Sequence, residues 1–169
     1  MKVTSAVANK MVKKLQSDLD FLYQIQQKRR TYVEVPGQEP IIPDYDFDSV
    51  QTEIASLELK IRYIKHAVNK HNVNTELDGF DGLTVDQALI MMSQYNKRLN
   101  VLDTMRSQAQ KVLDTGSGYS GAKQQVQYTV SNYDPKEAAQ EYQSLYKSLQ
   151  ELQVALDTSN STATFEIPD

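Results

Sequence analysis

Apolar residues at alternating steps of three and four dominate the middle of the chain. They run over three heptads, at Phe47, Val50, Ile54, Leu57, Ile61, Ile64 and Val68, and the next step falls on His71. This spacing places one apolar stripe along a helix and is typical of a coiled-coil seam. Because such a stripe must be covered by another helix or by a second copy, the chain is restricted to packed helical architectures.

Three further segments have the same rhythm, which is looser near the N-terminus, interrupted once after residue 84 and unbroken near the C-terminus. Thr84 opens a capping box with Gln87, and Asp134 followed by Pro135 is a typical helix start. The predicted helices span about residues 4–30, 47–72, 84–114 and 135–157.

Two short stretches, about 125–130 and 163–167, alternate apolar and polar residues and are predicted to be strands that can pair with each other. The predicted fold class is mainly α. It consists of a long antiparallel, coiled-coil-like hairpin of the second and third helices, two further packed helices and a small two-stranded β element. At 169 residues, the chain is expected to form a single helical domain, 1–169.

Composition excludes several classes of protein. The chain has no cysteine, so disulfides, thiolate metal sites and a cysteine nucleophile are absent. The N-terminus has no apolar core of the kind found in signal peptides, and no stretch approaches the roughly 18 apolar residues of a membrane span. The sequence therefore predicts a cytoplasmic protein.

Charge is unevenly distributed along the chain. Residues 1–30 contain seven Lys or Arg and two Asp, whereas residues 31–59 contain seven acidic residues and no Lys or Arg. We expect the acidic segment to lie near a basic helix, within the fold or between copies. The net charge of −4 and the pI of about 5.2 disfavour a nucleic-acid partner.

Gly116, Gly118 and Gly121 have the G-x-G-x-x-G spacing of some nucleotide-binding loops. Those loops follow a strand and open a helix, whose N-terminus attracts the phosphates. Here a predicted helix precedes the glycines and a predicted strand follows them. This reversed order predicts a turn between a helix and a strand, and no nucleotide cofactor.

The segment after the second helix resembles a calcium-binding loop. Asn74, Glu76 and Asp78 occupy the first, third and fifth positions of such a loop, and Gly79 the sixth. The twelfth position, which should provide a bidentate Glu, is Val85. Two Asp-Gly dipeptides are better explained as turns, and no metal or other cofactor is predicted.

The candidate interaction surface consists of polar residues at two helix ends. His71 falls on the apolar seam, and its spacing of five from His66 does not allow both rings to bind one metal ion on a helix. No catalytic or metal-binding group emerges, and the sequence predicts no enzyme. The candidate interaction residues are Asn69, His71, Asn72, Asn74, Lys28, Arg29 and Arg30.

Five stretches carry a resemblance to a known group of proteins: VEVPGQEP, LELKIRYIKHAVNKHNVNTEL, DGLTVDQALIMMSQYNKRLNVL, TVSNYD and SLQELQVALDTSN. The chain resembles a family of small, mostly helical bacterial proteins of unknown function, some of which are called septicolysins. The resemblance implies a helical architecture and a bacterial or phage setting, and it brings no catalytic residues. The name septicolysin implies a membrane-damaging protein.

The favoured function is that of a non-enzymatic, coiled-coil-type interaction or assembly protein. We expect a homo-oligomer, dimeric or larger, with a further protein partner of unknown identity. The first alternative is a membrane-active protein, based on the basic first helix and the resemblance. A weaker alternative is a nucleic-acid accessory protein.

Overall fold

The computed structural model describes residues 1–113 and 127–167. Within these residues the mainly α fold class, with packed helices and small β elements, is confirmed. The glycine motif at residues 116–121 lies outside the described residues, as does the start of the strand predicted at 125–130. In chain order the elements are β1 (Lys2–Thr4), α1 (Ser5–Arg29), α2 (Phe47–Asn74), α3 (Val85–Ser107), β2 (Lys111–Leu113), β3 (Tyr128–Val130), α4 (Pro135–Thr162) and β4 (Thr164–Glu166).

Short polar side chains determine where three of these helices begin. Thr4 Oγ1 accepts a backbone N–H of the first turn of α1 at 3.3 Å, and Asp46 Oδ1 does the same for α2 at 3.1 Å. Asp134, the cap expected from the sequence, accepts a first-turn N–H of α4 at 2.8 Å. These bonds satisfy N–H groups that have no partner inside the helix, which fixes the helix starts.

The chain divides into two compact units, one formed by Met1–Asp86 with Asp157–Asp169 and the other by Gln87–Leu156. In the first unit, α1 and α2 lie antiparallel. The Gln51 side chain donates to that of Gln26 at 3.3 Å, near the end of α1 and the start of α2. The buried side chains form two adjacent clusters: Leu19, Leu22, Ile54 and Ile61 in one, and Val3, Ala8, Ile64 and Ile167 in the other.

In the second unit, α3 and α4 share their own apolar core. Its buried members are Leu99, Leu145 and Leu149. On the surface, the Arg98 guanidinium donates to the Glu141 carboxylate at 2.9 Å. The heptad positions of α2 and of α3 therefore contribute to two different cores.

The third helix ends at Ser107, earlier than the predicted residue 114, and side chains bind carbonyl groups of its last turns. Ser107 Oγ donates to the Asp103 carbonyl at 2.7 Å, and the Tyr133 hydroxyl donates to the Met105 carbonyl at 3.0 Å. Residues 111–113, which were predicted to be helical, form β2. Ser131 binds the residues just before β2, since its N–H donates to the Gln110 carbonyl at 2.9 Å and its Oγ to the Ala109 carbonyl at 3.1 Å. Apolar spacing along one helix does not show such partners.

The strand pairing expected from the sequence is wrong. Within the described residues β4 pairs antiparallel with β1, and β3 pairs antiparallel with β2. The N-terminal strand was not predicted, because three residues show too little alternation to be recognised. Its central residue, Val3, lies opposite Phe165, and the Met1 amino group donates to the Ile167 carbonyl at 2.8 Å.

Candidate functional site

His71 lies where α2 meets the C-terminal strand. Its ring stacks on that of Phe165, with ring centroids 4.6 Å apart and an angle of 23° between the planes. Its Nδ1 is 3.0 Å from Thr75 Oγ1. Partial burial of the ring lowers the pKa of His71 below its ordinary value of 6.5, because the charged form loses hydration. His71 lies on the apolar seam of α2 and thus contacts the strand β4.

The three asparagines of the candidate surface have different environments. Asn69 is exposed, whereas Asn74 Nδ2 donates to the Lys70 carbonyl at 2.6 Å and so caps the end of α2. Asn72 is half-buried, and its Oδ1 has no hydrogen-bond partner among residues 1–113 and 127–167.

The basic residues of the candidate surface lie at the opposite end of the helix pair. Lys28 is exposed, Arg29 donates to the Asp44 carbonyl at 3.1 Å, and the backbone N–H of Arg30 donates to the Gln26 carbonyl at 3.1 Å. The structure therefore brings His71 and the asparagines together at one end, and leaves the three cationic residues at the other.

The loop after α2 consists of turns, as the Asp-Gly dipeptides indicate. Leu77 N–H donates to the Leu83 carbonyl at 2.8 Å, which closes the loop at its base. Gly79 and Gly82 have φ angles of 82° and 69°, in the left-handed region that favours glycine. The chain reversal uses these two glycines and an isolated bridge between Glu76 and Thr84.

Between α1 and α2 there is an open groove of about 490 Å³, which we call the hairpin groove. Its floor is apolar, since Met11, Leu15 and Ile64 belong to or pack on the core of the first unit. Lys14 and Lys60 provide cations at its sides, and neither forms a salt bridge with a described residue. The lining residues are Met1, Met11, Lys14, Leu15, Asp18, Lys60, Tyr63, Ile64 and Ile167.

A second groove, of about 440 Å³, adjoins the first at Tyr63 and contains the predicted residues His71 and Asn74. We call it the strand groove because β4 forms one wall. Its other polar groups include His66, Lys70 and the carboxylate of Glu166. Both grooves combine cationic side chains with an apolar surface, which suits the binding of an acidic ligand with apolar groups.

Lys14 and Lys60 did not emerge from the sequence. Each is an ordinary exposed lysine on a helix, and 46 positions separate them in the chain. Only the antiparallel register of α1 and α2 places them around one groove. An antiparallel alignment of the apolar seams of the first two helices would have placed these two lysines beside the same groove.

The segment that follows Arg30, the C-cap of α1, and leads to α2, residues 31–46, is exposed over most of its length; we call it the connector. Its apolar side chains are unusually open to solvent, with Ile41 91% and Ile42 64% exposed. Its charged side chains are all acidic. An exposed apolar and acidic segment of this kind is a candidate contact for another protein surface.

Comparison with protein-family models and with curated protein sequences gives no match. The fold is similar to the crystal structure of a functionally unknown conserved protein from Corynebacterium diphtheriae. The TM-score is 0.66 at 18% sequence identity, over 98% of this chain and 100% of that chain. At this identity the similarity establishes the fold alone.

Proposed function

We propose that the protein is a non-enzymatic assembly protein whose first two helices, α1 and α2, bind protein segments and associate with further copies of the chain. The observation that carries this proposal is the hairpin groove, in which an apolar floor is bordered by two cations, Lys14 and Lys60, and one carboxylate, Asp18. Such a surface holds a partner through apolar contact and selects it by charge. These are the properties of a docking surface and require no chemical step.

The solution mass tests this proposal. Light scattering after size exclusion, over a hundredfold range of concentration, should give a dimer or a larger species whose population rises with concentration. Recovery of a monomer at every concentration would refute self-assembly. A far-ultraviolet circular dichroism spectrum of the same sample establishes that the helices are formed.

A membrane-damaging activity, which the name septicolysin implies, is the alternative proposal. Phe21 favours it, being 62% exposed on the basic helix α1. However, Leu19 and Leu22 of the same helix are buried against α2, so α1 would have to leave the hairpin to insert its apolar face in a bilayer. No helix of the described residues has the length and apolar character needed to cross a membrane. Release of dye from anionic liposomes tests this alternative, and its absence over a wide range of protein concentration would exclude it.

A further inference from the structure

The centre of the connector combines apolar and acidic groups in an exposed, extended segment. Ile41 and Ile42 stand between Glu39 and Asp44, and neither isoleucine is covered by the rest of the described chain. Leaving two such side chains in water forgoes a large hydrophobic stabilisation. Residues 39–44 therefore have the composition of a segment that is buried when it binds a partner.

Three prolines make the connector suitable for docking. Pro36, Pro40 and Pro43 fix their own φ angles and bias the residues before them toward extended conformations. A segment that is already extended loses less conformational entropy when it binds than a flexible one does. Ile41 and Ile42 lie between the second and third of these prolines and are thus presented in a restricted conformation.

The hairpin groove has the complementary chemistry. It offers apolar contacts for the isoleucines and two cations, Lys14 and Lys60, for the carboxylates that flank them. Its volume of about 490 Å³ lies within the range of typical ligand clefts, roughly 300–1,000 Å³. The groove also contains the carboxylate of Asp18, so its two lysines leave the lining cationic by one charge. The connector is acidic, and this difference in sign favours both the rate of association and the choice of partner.

We propose that residues 39–44 of one copy dock in the hairpin groove of a second copy. This inference rests on the proposed assembly function and names the two surfaces that meet. Ile41 and Ile42 contact the apolar floor, while Glu39 and Asp44 pair with Lys60 and Lys14.

The position of the connector favours a second copy as the source of the segment. Lys60 lies thirteen residues into α2 from Phe47, about 20 Å along the helix axis. Two bonds hold the C-terminal end of the connector, because Arg29 at the end of α1 donates to the Asp44 carbonyl and Asp46 caps the first turn of α2. The connector is thus held near one end of its own hairpin, away from its own groove, where a neighbouring molecule can receive it.

Two copies can satisfy both contacts at once. Each molecule has one connector and one hairpin groove, so a two-fold axis lets each connector enter the groove of its partner. The resulting dimer is closed, because it leaves no groove or connector unoccupied. A head-to-tail arrangement of the same contact would instead produce rings or filaments, and the measured mass distinguishes these cases.

Charge reversal followed by mixing tests the contact. The groove variant carries Lys14→Glu and Lys60→Glu, and the connector variant carries Glu39→Lys and Asp44→Lys. Each variant alone places like charges at both ends of the contact. The dissociation constant of its dimer should therefore be roughly tenfold to a hundredfold higher than that of the wild-type dimer. In an equimolar mixture, opposite charges again face each other at both contacts, and light scattering should recover the dimer as a mixed species.

A matched control separates the specific contact from net charge. Lys13→Glu with Lys65→Glu makes the same change in net charge on α1 and α2, at exposed positions that line neither groove. This variant should keep the wild-type mass. Circular dichroism of all variants identifies any that have not folded.

The outcomes separate the two proposals. A wild-type dimer that persists unchanged in both reversal variants would overturn the docking contact and leave the assembly function standing. Reversal variants that are monomeric alone and remain monomeric when mixed would also overturn the contact. A wild-type monomer over the whole concentration range would overturn the assembly function and, with it, the docking contact.

The absence of cysteine allows a direct test of where the connector binds. A chain with Glu39→Cys is mixed with a chain with Lys60→Cys, which the contact places opposite each other, and the mixture is oxidised. The contact predicts a disulfide between the two chains, seen as a heterodimer by mass spectrometry. A single chain that carries both substitutions gives the contrary result if it forms only an internal disulfide at all concentrations. That result would show that the connector occupies its own groove, and it would overturn the exchange between copies.

Discussion

Replacing Ile61 by alanine measures the packing of α1 on α2. Ile61 is 8% exposed and shares a buried cluster with Leu19. Substitutions of this kind cost about 2–5 kcal/mol, since apolar burial is lost and a cavity remains. The higher helix propensity of alanine returns up to about 0.5 kcal/mol, which leaves a net loss of about 1.5–4.5 kcal/mol in the free energy of unfolding. For a chain of this length, the melting temperature should fall by roughly 3–18 °C.

Leu59→Ala is the matched control on the same helix. Leu59 is 41% exposed, so its truncation removes less buried surface and should cost less than about 1 kcal/mol. Urea unfolding followed by circular dichroism measures both variants. Equal losses for Ile61→Ala and Leu59→Ala would refute the assignment of the buried face.

A double-mutant cycle then identifies the partner helix. Leu19→Ala and Ile61→Ala remove two side chains of one cluster, so their effects should depart from additivity by about 0.5–3 kcal/mol. Additive effects would mean that the two residues do not share a core. The apolar stripe of α2 would then have to be covered by something other than α1.

Three smaller perturbations test individual contacts. His71→Gln should reduce the loss of stability on acidification. Burial lowers the pKa of the His71 ring in the folded chain, so below about pH 6.5 the unfolded chain binds a proton more readily than the folded chain does. The free energy of unfolding of the wild type therefore falls as the pH falls. Thermal melts at about pH 7.5 and 5.5 should therefore differ less in His71→Gln than in His66→Gln. Asp46→Ala removes the cap of α2 and should lower the free energy of unfolding in urea by about 1 kcal/mol. Glu141→Gln breaks an exposed ion pair with Arg98, and should cost less than about 1 kcal/mol and less still in high salt.

Each of these expectations has a clear contrary result. An unchanged pH dependence in His71→Gln would show that another group governs the acid response. Full stability of Asp46→Ala would mean that α2 does not depend on this cap. A large cost of Glu141→Gln that persists in high salt would indicate a buried contact in place of a solvated ion pair.

The sequence predicted the helices well because their signals are local. The predicted range 47–72 compares with Phe47–Asn74 for α2, whose apolar repeat begins at the first residue of the helix. The repeat also identified the buried face, since Ile54, Ile61 and Ile64 are the buried residues of this helix. Phe47 lies on the same repeat but is 59% exposed, because the core of the first unit does not extend to it.

The choice of partners could not be predicted from such local signals. A heptad repeat shows which face needs covering and leaves open which helix covers it, so the pairing of α1 with α2 required the structure. The same holds for the strands, where β4 pairs with residues from the opposite end of the chain. The hairpin groove is formed by the pairing of α1 with α2, so the sequence did not identify Lys14 and Lys60 as residues of one site. His71 could be identified because it lies on the apolar repeat of a single helix.

The pairing of Val3 with Phe165 determines when the first unit can be finished during protein synthesis. The two residues are about 160 positions apart, so a ribosome adding about 5–20 residues per second needs roughly 8–30 s to produce the second after the first. The α1–α2 pair is complete much earlier. The strand pairing of β1 and the ring stacking of His71 can form only after β4 has been synthesised. Throughout the synthesis of Gln87–Leu156 the nascent chain therefore carries an unpaired strand edge, which is the stage at which a chaperone or a neighbouring nascent chain has the best access to it.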